Sequence, residues 1–211
     1  MFRPLRLAAL LGGLLLSAAA SAADIDAATY GYPLTNPFEA TIATTPPDLR
    51  PEVPTDDEIN QSDYQLNLRP ERAFTLPDNF WPVKKLRYRL ARQDHEAPLI
   101  FLIAGTGAPY NASINEYLKR LYYKAGFHVV QLSSPTSYDF MSAASRFATP
   151  GVSSEDAEDL YRVMQGVRAQ HPRLAVKEFY LSGYSLGALD AAFVSHLDET
   201  RRSFNFKRCL L

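Results

Sequence analysis

Residues 181–190 read LSGYSLGALD and contain the pattern G-x-S-x-G, with Ser185 at its centre. The residues before the serine are predicted to form a strand and those after it a helix, so Ser185 lies on the turn between them. Such a turn strains the serine backbone, and side chains two residues before or after it would collide with the strand and the helix. Gly183 and Gly187 occupy those two positions. Ser185 is therefore predicted to be a nucleophile; the alternative is an ordinary helix N-cap.

Strand and helix patterns alternate along the rest of the folded part. Leu86, Tyr88 and Leu90 alternate with other residues, which predicts a half-buried antiparallel strand, whereas the continuous apolar run 99–104 is typical of a strand covered on both faces. The predicted strands are 86–91, 99–104, 127–132, 178–182 and 206–211. The predicted helices are 114–125, a helix that begins at Ser153 and ends before Pro172, and 186–199. Ser153 and Asp156 form an S-x-x-D pattern, which predicts a cap at the start of the second helix. This order predicts an α/β protein with a mostly parallel sheet and helices on both faces.

A second loop of interest follows the buried strand, where residues 104–111 read AGTGAPYN. Ligands of such sheets bind beyond the carboxyl ends of the strands, and both Gly105 and Ser185 lie at such ends. The glycines at 105 and 107 lack the third glycine of a dinucleotide fingerprint and the Gly-Lys-Ser/Thr of a P-loop. Nucleotide binding is therefore disfavoured, and no cofactor is predicted.

The composition excludes several classes of partner. The formal net charge of −1 implies no strongly basic face, so no nucleic-acid partner is expected. The four histidines are scattered without metal-ligand spacing, so no metal site is predicted. Cys209 is the single cysteine, which excludes a disulfide framework, and its apolar neighbours indicate a buried thiol.

Taken together, the strand order, the 104–111 loop and the serine turn resemble the α/β-hydrolase fold family over residues 65–211. The resemblance implies that Ser185 attacks a carbonyl carbon. It also implies an oxyanion hole made by the backbone N–H of Leu186 and that of Thr106 or Gly107, each donor being worth about 2.7–4 kcal/mol in the transition state. Many members carry His-Gly at this loop, where the present chain has Ala104-Gly105.

The same resemblance implies that the catalytic acid and histidine are missing. In this family the acid follows the strand two places after the serine turn, and the histidine follows the last strand; only one strand is predicted here after the turn. His196 lies eleven residues along the same helix, about 16 Å from the serine, and Asp190 is predicted to point to a flank. His95, His128 and His171 are predicted to be structural or solvated. We therefore expect a C-terminally incomplete chain.

The expected function is that of a serine hydrolase for an ester, thioester or amide, with a small-molecule or lipid-like acyl substrate. Two alternatives remain open, a non-catalytic binding protein on the same scaffold and an inactive fragment. The loop 133–153 is interpreted either as a wall of an apolar acyl pocket or as a plain surface loop. The residues of that wall would be Tyr138, Phe140, Met141 and Phe147.

The N-terminus predicts export. Residues 1–22 combine Arg3 and Arg6 with an apolar run and a small-residue ending, as in a signal peptide cleaved before Ala23, and the apolar run is too short for a membrane anchor. No membrane span is expected after its removal, and the destination is the periplasm or the medium. Six of the 15 prolines lie between residues 33 and 54, which predicts a proline-rich extended arm over 23–64.

Overall fold

The computed structural model describes residues 33–43, 45, 50–68, 75, 78, 83–147 and 149–211. The predicted signal peptide, residues 1–22, lies outside these residues. The chain divides into two compact units, Met1–Pro51 and Glu52–Leu211.

The first unit contains a short helix where an extended arm was predicted. Helix α1 spans Pro37–Ala43. The Asn36 side chain accepts hydrogen bonds from the Phe38 and Glu39 N–H groups at 2.9 and 3.3 Å, and a proline in the first turn is compatible with a helix. A local cap thus starts a helix in a segment without apolar periodicity.

The second unit is built around a six-stranded sheet with the order β1-β2-β4-β3-β5-β6. β2 pairs antiparallel with β1 and with β4, whereas the β4–β3, β3–β5 and β5–β6 pairs are parallel. The mostly parallel sheet predicted from the alternation is therefore confirmed. The strands are β1 Gln61–Leu66, β2 Leu86–Ala91, β3 Ala97–Ile103, β4 His128–Leu132, β5 Val176–Gly183 and β6 Arg208–Leu210. The helices are α2 Ser113–Lys124, α3 Tyr138–Ala143, α4 Ser153–Gln170 and α5 Leu186–Arg201, and a 3₁₀ turn spans Asp56–Glu58.

Helices cover both faces of the sheet because β3 alternates its side chains between two apolar cores. Leu99, Phe101 and Ile103 pack in the core that includes residues of α4 and α5. Ile100 and Leu102 point to the other face, where partly buried side chains of α2 pack against them. All of these β3 side chains are fully buried, as the continuous apolar run predicted.

The first strand and the beginning of the folded unit differ from the sequence interpretation. The folded domain was predicted from residue 65, whereas the compact unit begins at Glu52 and β1 covers Gln61–Leu66. β1 pairs residue by residue with β2. Only Leu66 of β1 is buried, because polar side chains of this strand bind charged partners instead of packing in a core. Apolar periodicity therefore does not reveal it.

The start of α4 also corrects a prediction. The S-x-x-D pattern predicted a cap formed by Ser153, but the N-cap is Val152 and makes no side-chain capping bond. Asp156 instead accepts a hydrogen bond from the Gly151 N–H at 2.7 Å. The acidic side chain thus fixes the loop before the helix, and Ser153 is the first helical residue.

The last strand is held by a buried carboxylate at the end of α5. Asp198 is 4% exposed and accepts hydrogen bonds from the Phe204 and Phe206 N–H groups at 3.1 and 3.2 Å. The Tyr161 hydroxyl of α4 donates to the same side chain at 2.5 Å. Asp198 therefore connects α4, α5 and the loop that leads to β6.

Candidate active site

Ser185 lies on a strained turn between β5 and α5. Its backbone has φ 55° and ψ −127°, a conformation that L-residues with a side chain rarely adopt, and such strain typically costs about 1–3 kcal/mol. The residue is exposed, and α5 begins with the next residue. The turn thus presents the serine hydroxyl at the carboxyl end of the sheet and at the positive end of a helix dipole.

The two glycines of the motif are required by backbone contacts. A Cβ atom on Gly183 would lie 2.1 Å from the Gly187 carbonyl oxygen, and one on Gly187 would lie 2.4 Å from the Ile103 carbonyl oxygen. These distances are far below van der Waals contact. Steric contacts with the backbone therefore explain why glycine occupies both positions of the G-x-S-x-G motif.

The loop after β3 lies against the serine. A Cβ atom on Gly105 would be 3.1 Å from the Ser185 Cβ and 2.8 Å from the Tyr184 ring. The absence of a side chain at Gly105 thus allows the loop to approach the turn. The two segments singled out in the sequence are neighbours in the structure.

The backbone N–H groups around the serine distinguish the two candidates for the second oxyanion donor. The Gly107 N–H donates to the Thr136 side-chain oxygen at 2.8 Å, so this group is already occupied. Within the residues that the structure describes, the N–H groups of Thr106 and Leu186 have no hydrogen-bond acceptor. The geometry therefore favours Thr106 over Gly107 as the partner of Leu186.

Two of the four histidines are exposed and paired with nearby acids. His196 lies in the third turn of α5, with its Nδ1 atom 3.2 Å from the Glu199 carboxylate. His95 lies in the loop between β2 and β3, with its Nδ1 atom 2.7 Å from the Asp94 carboxylate. Neither lies at the carboxyl end of the sheet beside Ser185.

The other two histidines lie at the opposite end of the sheet. His128 is the first residue of β4 and is fully buried; its Nδ1 accepts the Gln93 N–H at 3.0 Å, and its Nε2 lies 3.0 Å from the Ala175 carbonyl oxygen. His171 follows α4, with its Nε2 atom 2.7 Å from the Tyr88 hydroxyl oxygen. Burial lowers the pKa of both imidazoles. Both side chains therefore serve structural contacts.

Asp190 on α5 and Asp156 on α4 form a pair of buried carboxyl groups. Asp190, on the second turn of α5, is fully buried, and neither of its carboxylate oxygens has a hydrogen-bond partner within the described residues, although the Ser153 side chain is close. Burial and the nearby Asp156 raise its pKa to about 7. Burial likewise raises the pKa of Asp156 to about 6, with further contributions from Asp159 and Glu155. No sequence signal indicated this pair; Asp190 was predicted to point to a flank.

The buried carboxyl of Asp190 predicts a loss of stability as the pH rises. Its pKa is about 7 in the folded protein against an ordinary 3.8, so the folded state holds a proton between these values that the unfolded state has released. The contribution of the Asp190 carboxyl to the stability of the folded state is therefore complete below pH 3.8 and is lost as the pH rises through 7. Since one pKa unit corresponds to about 1.4 kcal/mol, we expect Asp190 to contribute a fall of about 2 kcal/mol in the free energy of unfolding between about pH 5 and 8.

The measurement is urea unfolding of the wild-type protein and of Asp190→Asn at these two pH values. The side-chain amide of the variant is neutral at both pH values, so its free energy of unfolding should not show this decrease. Asp156, whose pKa is raised to about 6, is present in both proteins, and the difference between the two therefore isolates Asp190. Equal pH dependence in the two proteins would show that Asp190 is ionised throughout.

The four residues of the predicted acyl wall differ in their burial. The loop after β4 contains α3, and Phe140 on this helix is fully buried in the core, so its assignment to a pocket wall is wrong. Tyr138 is 41% exposed, and Met141 and Phe147 are half-buried. The apolar side of the helix faces the core because Phe140 and Ala143 lie on one side of it.

The residues that the structure describes contain neither a membrane-spanning helix nor a metal cluster. In this part of the chain, no helix is long and apolar enough to cross a membrane. The same residues contain no group of three or more His, Cys, Asp or Glu side chains placed to hold a metal ion.

Comparisons with known proteins find similarity in structure only. No protein-family model matches the chain, and no curated protein sequence is significantly similar to it. A dienelactone hydrolase from Anabaena variabilis is 12% identical, with a TM-score of 0.49 over 69% of this chain and 60% of its own. Brefeldin A esterase, a bacterial homologue of human hormone-sensitive lipase, is 16% identical, with a TM-score of 0.48 over 78% and 41%. A hyperthermophilic esterase from the archaeon Pyrobaculum calidifontis is 20% identical, with a TM-score of 0.47 over 74% and 45%.

The chain thus spans between 41% and 60% of the length of these three structures. At these identities, and with TM-scores below 0.5, the likeness to these structures carries no argument about this chain. The mostly parallel sheet, the strained serine turn after β5 and the adjoining glycine loop after β3 were all expected from the resemblance. Together these features resemble those of the α/β-hydrolase fold.

Proposed function

We propose that this chain carries the nucleophile of an exported serine hydrolase that cleaves an ester, thioester or amide. The Ser185 oxygen attacks the acyl carbon, its proton passes to a general base, and the carbonyl oxygen becomes an oxyanion. The N–H groups of Leu186 and Thr106 donate hydrogen bonds to that oxyanion. Collapse of the intermediate breaks the bond to the leaving group, and water then hydrolyses the acyl-enzyme.

One observation carries the proposal. An exposed serine in a strained backbone conformation lies beside two backbone N–H groups without an acceptor in the described part of the chain, at the N-terminus of a helix. An N-cap serine would instead accept a hydrogen bond from the first turn, but Ser185 makes no side-chain capping bond. Donors without acceptors at a helix N-terminus suit an anion that forms only during the reaction.

The general base and its acid are proposed to come from outside the present sequence. All four histidines lie away from Ser185, and a base must approach the serine oxygen to within about 3 Å. A segment following Leu211 is the source that the fold resemblance implies. Export, to the periplasm or the medium, is proposed from residues 1–22, and the substrate is proposed to be a small or lipid-like acyl compound.

The test is reaction with a fluorophosphonate probe, using the protein purified from its natural source after its intact mass has been measured. We expect one phosphonyl group per molecule, on the tryptic peptide that contains Ser185. Recombinant Ser185→Ala of the same length should not react, whereas Ser195→Ala, which alters a half-buried serine further along α5, should react like the wild type. A protein longer than this chain that leaves Ser185 unlabelled would contradict the proposal.

The second candidate is a non-catalytic binding protein on the same scaffold. The observation in its favour is that each histidine side chain is already engaged with another part of the protein or with a nearby acid. If the mass of the natural protein corresponds to a C-terminus at Leu211, and the protein does not react with the probe, the result would support this function over hydrolysis.

A further inference from the structure

The loop after β4 contains a hydroxyl-rich segment that we name the hydroxyl strap, residues 133–139, with the sequence SSPTSYD. Ser133 and Ser134 are fully buried, and Ser137 is 2% exposed. Buried hydroxyl groups are costly unless they make hydrogen bonds, so their partners indicate what the strap stabilises.

The strap binds the loop that carries the proposed oxyanion donor. The Thr136 oxygen accepts the Gly107 N–H at 2.8 Å, and the Ser133 oxygen accepts the Tyr110 N–H at 2.9 Å. The Ser134 N–H donates to the Ala108 carbonyl oxygen at 3.0 Å. Three hydrogen bonds therefore join the two loops next to Thr106.

The strap itself is ordered by hydrogen bonds among its own residues. The Asp139 carboxylate accepts the Ser133 and Ser137 hydroxyls at 2.8 and 2.6 Å. The Ser134 and Thr136 side-chain oxygens lie 2.8 Å apart. The Thr136 hydroxyl accepts from Gly107 and can in turn donate to Ser134, so its orientation is determined at both ends.

Packing does not hold the Gly107 end of the loop. Gly107 has φ +67°, and no atom other than those of Gly107 and its two chain neighbours lies within 4 Å of the position that a Cβ would occupy. The turn is closed by the Ala108 N–H, which donates to the Gly105 carbonyl oxygen at 3.0 Å. The contact with Thr136 is thus the side-chain interaction that fixes the peptide following Thr106.

We propose that Thr136 is a positioning residue, whose hydroxyl holds the 105–108 loop so that the Thr106 N–H points at the oxyanion formed on Ser185. The inference rests on the proposed function. Since catalysis is sensitive to displacements of the order of an ångström, loss of this contact should reduce the reactivity of Ser185 without unfolding the protein.

The test compares Thr136→Val, which keeps the shape but removes the acceptor, with Thr136→Ser, which keeps the hydroxyl. Thr149→Val is the matched control, because the Thr149 hydroxyl binds Glu155 and not the 105–108 loop. Two quantities are measured in the natural-length protein: the rate of fluorophosphonate labelling of Ser185 and the hydrogen-exchange protection of the Gly107 amide. Urea midpoints show whether each variant is folded.

We expect Thr136→Val to react about tenfold more slowly and to lose protection at Gly107. Thr136→Ser and Thr149→Val should retain both properties to within about twofold. Equal labelling rates for Thr136→Val and the wild type would overturn the inference. If the wild type itself does not react, the proposed function fails. The hydrogen-exchange protection of the Gly107 amide then tests the positioning role of Thr136 by itself. Unchanged protection in Thr136→Val would overturn that role.

Discussion

Gly183→Ala is expected to lower the free energy of unfolding by more than about 3 kcal/mol, beyond the usual range for overpacked sites. The new Cβ would lie 2.1 Å from the Gly187 carbonyl oxygen, 2.3 Å from its carbon and 2.7 Å from the Ala188 nitrogen. All three are backbone atoms of the first turn of α5, so no side-chain rotation relieves the clash. The strand and the helix would have to separate, and the serine turn would be lost.

The measurement is urea unfolding followed by circular dichroism, with Gly126→Ala as the control. Gly126 has open space around its Cβ position but a φ of +88°, so an alanine there is strained without a clash and should cost about 1–2 kcal/mol. A Gly183→Ala protein as stable as Gly126→Ala would show that the clash adds nothing to the cost of a strained backbone, contrary to the geometry described above.

Lys119→Met is expected to lower the free energy of unfolding by about 3 kcal/mol, because it removes a buried ammonium group and so breaks its ion pairs with the partly exposed carboxylates of Glu116 and Asp56. The Lys119 side chain on α2 is fully buried. Its ammonium group donates to Glu116 at 2.5 Å, to Gln61 at 2.6 Å and to Asp56 at 3.2 Å. Methionine has a similar volume but cannot make any of these contacts.

The Lys119 ammonium belongs to a network that attaches β1 and the 3₁₀ turn to the rest of the domain. Glu116 also accepts a hydrogen bond from Arg89 of β2 at 2.8 Å, and Arg89 in turn binds Asp63 of β1 at 2.6 Å. Burial alone would raise the pKa of Asp63, but the hydrogen bonds from Arg89 and Tyr110 outweigh it, and the pKa is lowered. Because Arg89 remains in the variant, Glu116 keeps one cationic partner, and we expect the lower end of the usual cost.

Lys124→Met supplies the control on the same helix. Lys124 is exposed, and its ammonium group donates to the Glu52 carbonyl oxygen at 2.7 Å. A surface change of this kind should alter the free energy of unfolding by no more than about 0.5 kcal/mol. Equal effects at the two lysines would mean that the buried network contributes nothing to the attachment of β1.

Lys119 also shows where sequence patterns mislead. The spacing of apolar residues in α2 predicts that Ile114 and Tyr117 face the core, yet they are 50% and 44% exposed. Asn115 and Lys119 are the buried residues of this helix. A polar side chain is buried here because its partners come from β1 and the 3₁₀ turn, which are distant in sequence and carry no apolar periodicity. No local pattern contains that information.

The serine turn shows the opposite case. The glycine spacing of the motif, the apolar run of β3 and the alternation of strands and helices are local properties, and each follows from steric contacts or burial within a short stretch. They were sufficient to predict the parallel sheet, the helices on both faces and the position of Gly105 and Ser185 at the carboxyl ends of strands. These local properties did not decide, by contrast, whether Thr106 or Gly107 supplies the second N–H group of the oxyanion hole.

The sequence by itself therefore determined the class of fold and the place of the candidate site, because periodicity and glycine spacing are set by neighbours along the chain. Only the tertiary structure decided that Thr136 occupies the Gly107 N–H, that all four histidines are engaged away from Ser185, and that Asp190 is buried beside Asp156. These properties depend on hydrogen bonds and desolvation between residues far apart in sequence, and those contacts exist only once the sheet has formed.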